Sequence, residues 1–200
     1  MSGVIEIIAF CTSATSIFLA SRQKAVTFVL GVANNTMFAI LFYQQHLYSI
    51  MALQCSYILL NLYGMAKWWG WFGLNGKEKK LRISSLKVEE MGALLAMVLA
   101  AGVLLATFVV RMSGIVPEMF PSPKYPLLDA CLTTASIVAQ ILMIKKKIQV
   151  WCVWIILNII KTALYFEVGL ALTAVLHIIY IGIAVDAIRH WNKEYNTYKR

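Results

Sequence analysis

Apolar residues fill the chain in seven blocks, and short polar segments separate them. A helix needs about 20 mostly apolar residues to cross about 30 Å of hydrocarbon. Windows of that length predict spans over residues 4–21, 25–43, 47–68, 89–111, 127–144, 148–166 and 169–188. Four connectors are short: Arg22-Gln23-Lys24, Gln44-Gln45-His46, Lys145-Lys146-Lys147 and Glu167-Val168. Links of that length make sequence neighbours antiparallel neighbours in space. Two connectors are longer. Residues 69–88 carry Lys77, Lys79, Lys80, Arg82 and Lys87 and read as a polar loop. Residues 112–126 hold Pro117, Pro121, Pro123 and Pro126, and proline lacks a backbone donor, so this segment is expected to leave the helical state at a membrane surface.

Composition turns these blocks into membrane spans. Hydrophobic residues make up 60% of the 200 and charged residues 14%, with a mean hydropathy of +0.74. A soluble domain is nearer half apolar and a quarter charged. The net charge of +9 does not point to nucleic acid, because the basic residues are spread among segments that belong in lipid. Of the 18 Lys and Arg, 15 fall on one predicted side, Arg111 and Lys124 on the other, and Lys161 alone within a span. Basic residues stay cytoplasmic, so a cell (inner) membrane protein with its N-terminus outside and its C-terminus in the cytoplasm is expected. The four cysteines lie in apolar stretches without a CxxC pair and read as small buried hydrophobes. Residues 1–6 lack the basic start of a secretory signal, so none is expected.

Sliding the chain on itself gives one ungapped match. Asn35 falls on Asn158, 123 positions on, and the same shift superposes Ser13 on Ser136, Lys24 on Lys147, Tyr57 on Tyr180 and Trp68 on Trp191. Glu6 falls on Asp129 and Arg22 on Lys145. The expected fold is therefore an all-α membrane protein with seven transmembrane helices in 3+1+3 parallel repeats, the SWEET-like plan. Residues 1–68 form the first three-helix repeat. Residues 69–126 hold a cytoplasmic loop, linker helix 4 and the proline-containing outer loop. Residues 127–191 form the second repeat, and 192–200 a cytoplasmic tail. Two equivalent halves around a shared path make transport the leading class.

Polar side chains in a span are costly and face the bundle interior. On the third span Gln54, Tyr57 and Asn61 share a helical face, and His177 and Tyr180 stand at the matching places on the seventh, with Ala184 replacing Asn61. The second span offers Asn34 and Asn35, and the sixth offers Trp151, Trp154 and Asn158 on one face. Together these predict a central pocket with amides to hydrogen-bond a ligand and aromatic rings to stack on it. The competing reading is that such residues only glue helices together. No catalytic motif, phosphate loop or metal-ligand spacing occurs, so neither an enzyme nor a cofactor is expected.

The chain resembles the PnuC family of vitamin transporters along nearly its whole length. The likeness lies in Gly31-Val-Ala-Asn34-Asn-Thr36-Met-Phe38, in Leu47-Tyr48 leading to Leu53-Gln54, in Asn61-Leu-Tyr-Gly64 followed by Trp68, and in Trp151-Cys-Val-Trp154-Ile-Ile-Leu-Asn158. The resemblance implies the 3+1+3 plan, a homotrimer, and substrate contacts from Asn34, Gln54, Asn61, Trp151, Trp154 and Asn158. It also implies uptake of nicotinamide riboside by facilitated diffusion, with metabolic trapping by cytoplasmic phosphorylation. Relatives that carry thiamine or riboflavin supply the alternative. Lys161 departs from the expected pattern, where a small or apolar residue belongs. Facing the pocket, it would repel a cationic ligand; otherwise its head would snorkel to a membrane surface.

Overall fold

A computed structural model describes residues 2–44, 48–70, 81–120, 124–167, 169 and 171–199. Those residues form α1 (Ser2–Ser21), α2 (Val26–Gln44), α3 (Tyr48–Trp68), α4 (Val88–Ile115), α5 (Pro126–Ile144), α6 (Val150–Glu167) and α7 (Ala171–Lys199). The connector residues Gln45, His46 and Val168, the loop lysines Lys77, Lys79 and Lys80, and Pro121 and Pro123 lie outside the described residues. The chain is an all-helical membrane protein. Helices α4 to α7 are each long and apolar enough to cross a bilayer, and α1 and α2 carry shorter apolar stretches at Phe10–Ser21 and Val26–Ile40.

Two helices outrun their predicted spans. α4 continues to Ile115, and Pro117 then stops it, leaving Val116 non-helical as a residue before proline prefers. α7 runs to Lys199, so the polar segment after residue 191 continues the helix. No glycine or proline interrupts residues 183–199, and Trp191 is fully buried within this stretch, so the helix is anchored past the predicted span.

Helices α1, α2 and α3 pack in sequence order, as do α5, α6 and α7, while α4 lies against α5. The α4–α5 contact is close at Gly102, where a Cβ would stand 2.7 Å from Cys131 Sγ. The two trios meet through α1 against α7 and α3 against α5.

One end of the bundle carries the α1–α2 and α5–α6 turns and is rich in Lys and Arg; it is called the basic end below. Gln23 and Lys146 both adopt a left-handed backbone there, with φ of 56° and 51°. Around Gln23, its N–H donates to Ala20 O and Lys24 N–H donates to Leu19 O, each at 2.9 Å. Around Lys146, the same pair of bonds runs to Met143 O and Leu142 O, again at 2.9 Å. This is the bonding of a Schellman helix end, which satisfies carbonyls that a helix terminus leaves open.

Two tryptophans satisfy the remaining final carbonyls. Trp68 Nε1 donates to Ile144 O at 3.0 Å, and Trp191 Nε1 donates to Ser21 O at 2.8 Å. Each tryptophan also meets an aromatic ring edge-on: Phe28 on Trp68 at 4.9 Å and Trp151 on Trp191 at 5.4 Å. In every one of these pairs the partners in the two trios stand 123 positions apart.

The trios differ in how this end is braced. Residues 81–87 cross beneath the α5–α6 turn: Ser84 N–H donates to Lys146 O and Ile148 N–H to Ser84 O, both at 3.0 Å. Gln149 holds the same strap through Leu86 N–H and Ser85 Oγ, and Ile83 is buried under it. The α1–α2 turn is held to α7 by side chains. Arg22 pairs with Asp186 at 2.9 Å, and Gln23 Nε2 donates to Glu194.

Candidate functional site

Between the trios, in the basic-end half of the bundle, lies a cavity of about 220 Å³. Its walls are Ser16, Ile17 and Ala20 of α1, Thr27, Phe28, Gly31 and Asn35 of α2, Tyr57 and Asn61 of α3, Gln140 and Met143 of α5, Trp151, Trp154 and Asn158 of α6, and Tyr180 and Ala184 of α7. Fourteen of these sixteen fall into seven pairs 123 positions apart; only Ser16 and Thr27 lack a counterpart on the wall. None of the sixteen is charged.

The predicted residues Asn35, Tyr57, Asn61, Trp151, Trp154, Asn158 and Tyr180 all reach this wall. Asn34, Gln54 and His177 do not. Asn34 Oδ1 accepts from Thr12 Oγ1 at 3.3 Å, which ties α2 to α1. Gln54 and His177 stand one turn before Tyr57 and Tyr180, in a layer farther from the basic end. His177 Nδ1 lies 2.9 Å from Thr173 O, and its ring sits between Tyr165 and Tyr180. The helical periodicity that grouped Gln54 with Tyr57 and Asn61 is sound; the cavity is simply shorter than the stripe.

Asn61 is 5% exposed, donates from Nδ2 to Tyr57 O at 2.9 Å and accepts at Oδ1 from Gln140 Nε2 at 3.0 Å. A Cβ on Gly31 would fall 2.7 Å from Asn61 Oδ1, so glycine there makes the room that Asn61 occupies. Gly64 does the same for the Phe28 ring, 2.5 Å from where its Cβ would be. Trp151 is 1% exposed, and its Nε1 is a buried donor without a hydrogen-bond partner among the described residues. An unmet indole N–H is costly in an apolar setting, and this one belongs to a residue of the cavity wall.

On the side away from the basic end, the Tyr57 hydroxyl approaches Ser136 and the Tyr180 hydroxyl approaches Ser13. Lys161 joins the first of these layers. Its Nζ donates to Ser136 Oγ at 3.1 Å and lies 6.0 Å from the Trp154 ring centroid. The Lys161 head is therefore turned into the bundle, one layer beyond the cavity wall, and does not snorkel outward. At the far end Lys124 Nζ and Tyr125 Oη both donate to Glu167 Oε1, and that hydrogen bond to the carboxylate raises the Lys124 ammonium above its ordinary pKa.

Besides the apolar Ile17, Ala20, Met143 and Ala184, sequence reasoning missed five wall residues: Ser16, Thr27, Phe28, Gly31 and Gln140. A signal existed for three of them. Gln140 is an amide within an apolar span, and Phe28 and Gly31 are the counterparts of Trp151 and Trp154 at the 123-residue shift. Ser16 and Thr27 carried none, because small hydroxyls are common packing residues in membrane helices.

A helical membrane bundle with an uncharged cavity of amides and aromatic rings, shared between two like trios, has the build of a small-molecule transporter. The chain belongs to the nicotinamide mononucleotide transporter family, whose profile matches residues 3–193. Two curated relatives, from Escherichia coli (strain K12) and Shigella flexneri, are each named nicotinamide riboside transporter PnuC. Each is 28% identical, over 94% of this chain and 84% of the relative. The fold matches a crystal structure described as the vitamin B3 transporter PnuC, with a TM-score of 0.67 and 22% identity, covering 96% of this chain and 82% of that one.

Proposed function

We propose that this chain carries a vitamin-type nucleoside, nicotinamide riboside, into the cell by facilitated diffusion, and that cytoplasmic phosphorylation traps it there. The observation that carries the reading is the cavity wall. It has four amides (Asn35, Asn61, Gln140 and Asn158), the aromatic residues Phe28, Trp151 and Trp154, and no charge. A nucleoside with a carboxamide and ribose hydroxyls gives the amides partners. Its flat pyridinium cation gains about 0.5–2 kcal/mol on an aromatic face. The names of the curated relatives point the same way. Asn34, Gln54 and His177 are assigned to the approach to this site, one step from the wall.

The architecture that serves this function is the SWEET-like one: parallel 3+1+3 repeats, with residues 1–68 and 127–191 as the two three-helix units. Residues 69–126 hold the linker helix, and 192–200 follow the second unit. Support comes from the seven wall pairs and from the matched turns, carbonyl bonds and ring pairs at the basic end, all at one shift. Such halves rock against each other and open the cavity to either side in turn. The tally of Lys and Arg puts the basic end in the cytoplasm and the N-terminus outside. The assembly is a homotrimer.

The second reading is a carrier of thiamine or riboflavin; Lys161 favours riboflavin of the two, because an ammonium near Trp154 suits a neutral ring better than a cationic one such as that of thiamine. A thermal-shift panel on the purified protein separates these. Nicotinamide riboside at micromolar concentration is expected to raise Tm. A shift with riboflavin or thiamine alone would replace the substrate, and no shift with any of the three would contradict the vitamin reading.

A further inference from the structure

We propose that Lys161 is a specificity-determining residue, selecting ligands that place a carboxylate at the Trp154 end of the cavity. The inference rests on the reading of the cavity as a nucleoside site and names the charge of ligand that site favours.

The geometry gives Lys161 a defined place. Its ammonium is turned toward α5, donates to Ser136 Oγ at 3.1 Å and stands 6.0 Å from the ring centroid of Trp154, a wall residue. An ammonium has three donors, and the Ser136 hydroxyl takes one. The ion pairs of Arg22 with Asp186 and of Lys124 with Glu167 leave Lys161 out. A cation held inside a span without a carboxylate is costly, and such residues belong to the ligand path.

The cavity wall itself carries no charge that would screen or balance this ammonium. At the 123-residue shift Lys161 corresponds to Phe38, a half-exposed apolar residue on α2, so the charge belongs to one trio only. It therefore makes two otherwise similar ends of the cavity unlike. A cationic ring stacked on Trp154 meets a like charge across that ring, and in a low-dielectric interior the repulsion is strong. A carboxylate in the same place is attracted to that charge across the ring. The ligand class that fits is a pyridine nucleoside with a carboxylate in place of the carboxamide, which is zwitterionic where nicotinamide riboside is a cation.

The test measures dissociation constants of nicotinamide riboside and its carboxylate counterpart, by titration calorimetry, for the unaltered protein, Lys161→Met and Lys161→Arg. The unaltered protein is expected to favour the carboxylate form. Lys161→Met is expected to shift the ratio of the two constants about tenfold toward the amide form, the scale of losing one partly buried charge contact. Lys161→Arg keeps the charge and is expected to keep the ratio, which a purely structural role for Lys161 does not predict. A ratio unchanged within about twofold in Lys161→Met, or lost equally in Lys161→Arg, overturns the assignment while leaving the transport reading intact. Binding of neither ligand by the unaltered protein overturns both.

Discussion

Lys146 and Gln23 stand 123 positions apart in the chain, and Lys146 Nζ donates to Gln23 Oε1 at 2.9 Å. Each is the left-handed residue of its own turn, so each touches its own counterpart. When two halves are related by an axis, only residues on the axis touch their counterparts. In the proposed parallel-repeat plan this pair lies at the axis between the two halves. The bonds from Trp68 to Ile144 O and from Trp191 to Ser21 O flank that point on either side.

Removing one tryptophan N–H while keeping a ring tests that equivalence. Trp68→Phe and Trp191→Phe each leave a helix-end carbonyl unpaired, at a cost of about 1–3 kcal/mol. Both variants are expected to lower Tm in detergent by similar amounts. A loss in one and none in the other would mean that the two corners do not share the load.

Gly31→Ala puts a methyl group 2.7 Å from Asn61 Oδ1 and forces the amide off its bonds to Tyr57 and Gln140. Affinity for nicotinamide riboside is expected to fall at least about tenfold, the scale of one displaced hydrogen-bonding group. Asn61→Ala in the same background should cost little more, because the amide is already displaced. A normal affinity in Gly31→Ala would remove Asn61 from the site.

Trp151→Phe removes a donor that bonds nothing among the described residues. It is expected to lower Tm less than Trp191→Phe, whose donor is satisfied, yet to weaken ligand binding about tenfold. Calorimetry and thermal unfolding on the same samples check the two effects. Unchanged affinity would show that the indole N–H does not reach the ligand.

The side-chain latch at the α1–α2 turn is the weaker of the two corners. Arg22 and Asp186 are partly exposed, and such pairs contribute about 0–1 kcal/mol. Asp186→Asn combined with Glu194→Gln is expected to leave Tm nearly unchanged but to speed labelling of Ala184→Cys from the basic-end side. With the native cysteines replaced, the labelling rate reads opening directly. A slower rate, or none, would place the moving corner at the 81–87 strap.

Much of this was legible in the chain because lipid demands apolar blocks of fixed length and puts a high cost on internal polar groups. Asn35, Asn158, Tyr57 and Tyr180 announced themselves as polar residues at one shift. Phe28 gave a weaker signal, its place opposite Trp151 at that shift, because an apolar match counts for little until the rings are seen edge-on against Trp68 and Trp191. The left-handed turns at Gln23 and Lys146 were hidden for a different reason: neither is glycine or asparagine, the usual residues for that backbone. The strap at residues 81–87 read as a loop because its bonds are backbone bonds to a segment more than 60 positions away. The far end of α7 was obscured because a helix held by Trp191 needs no further apolar face.

The central claim is passive carriage of a nucleoside through a shared cavity. Proteoliposomes loaded with unlabelled nicotinamide riboside and diluted into the labelled form test it most directly. The account predicts exchange to equal concentrations, unaffected by collapsing proton or sodium gradients and lost in Asn158→Leu. No exchange by folded protein, or accumulation above the outside concentration that needs an ion gradient, would contradict it.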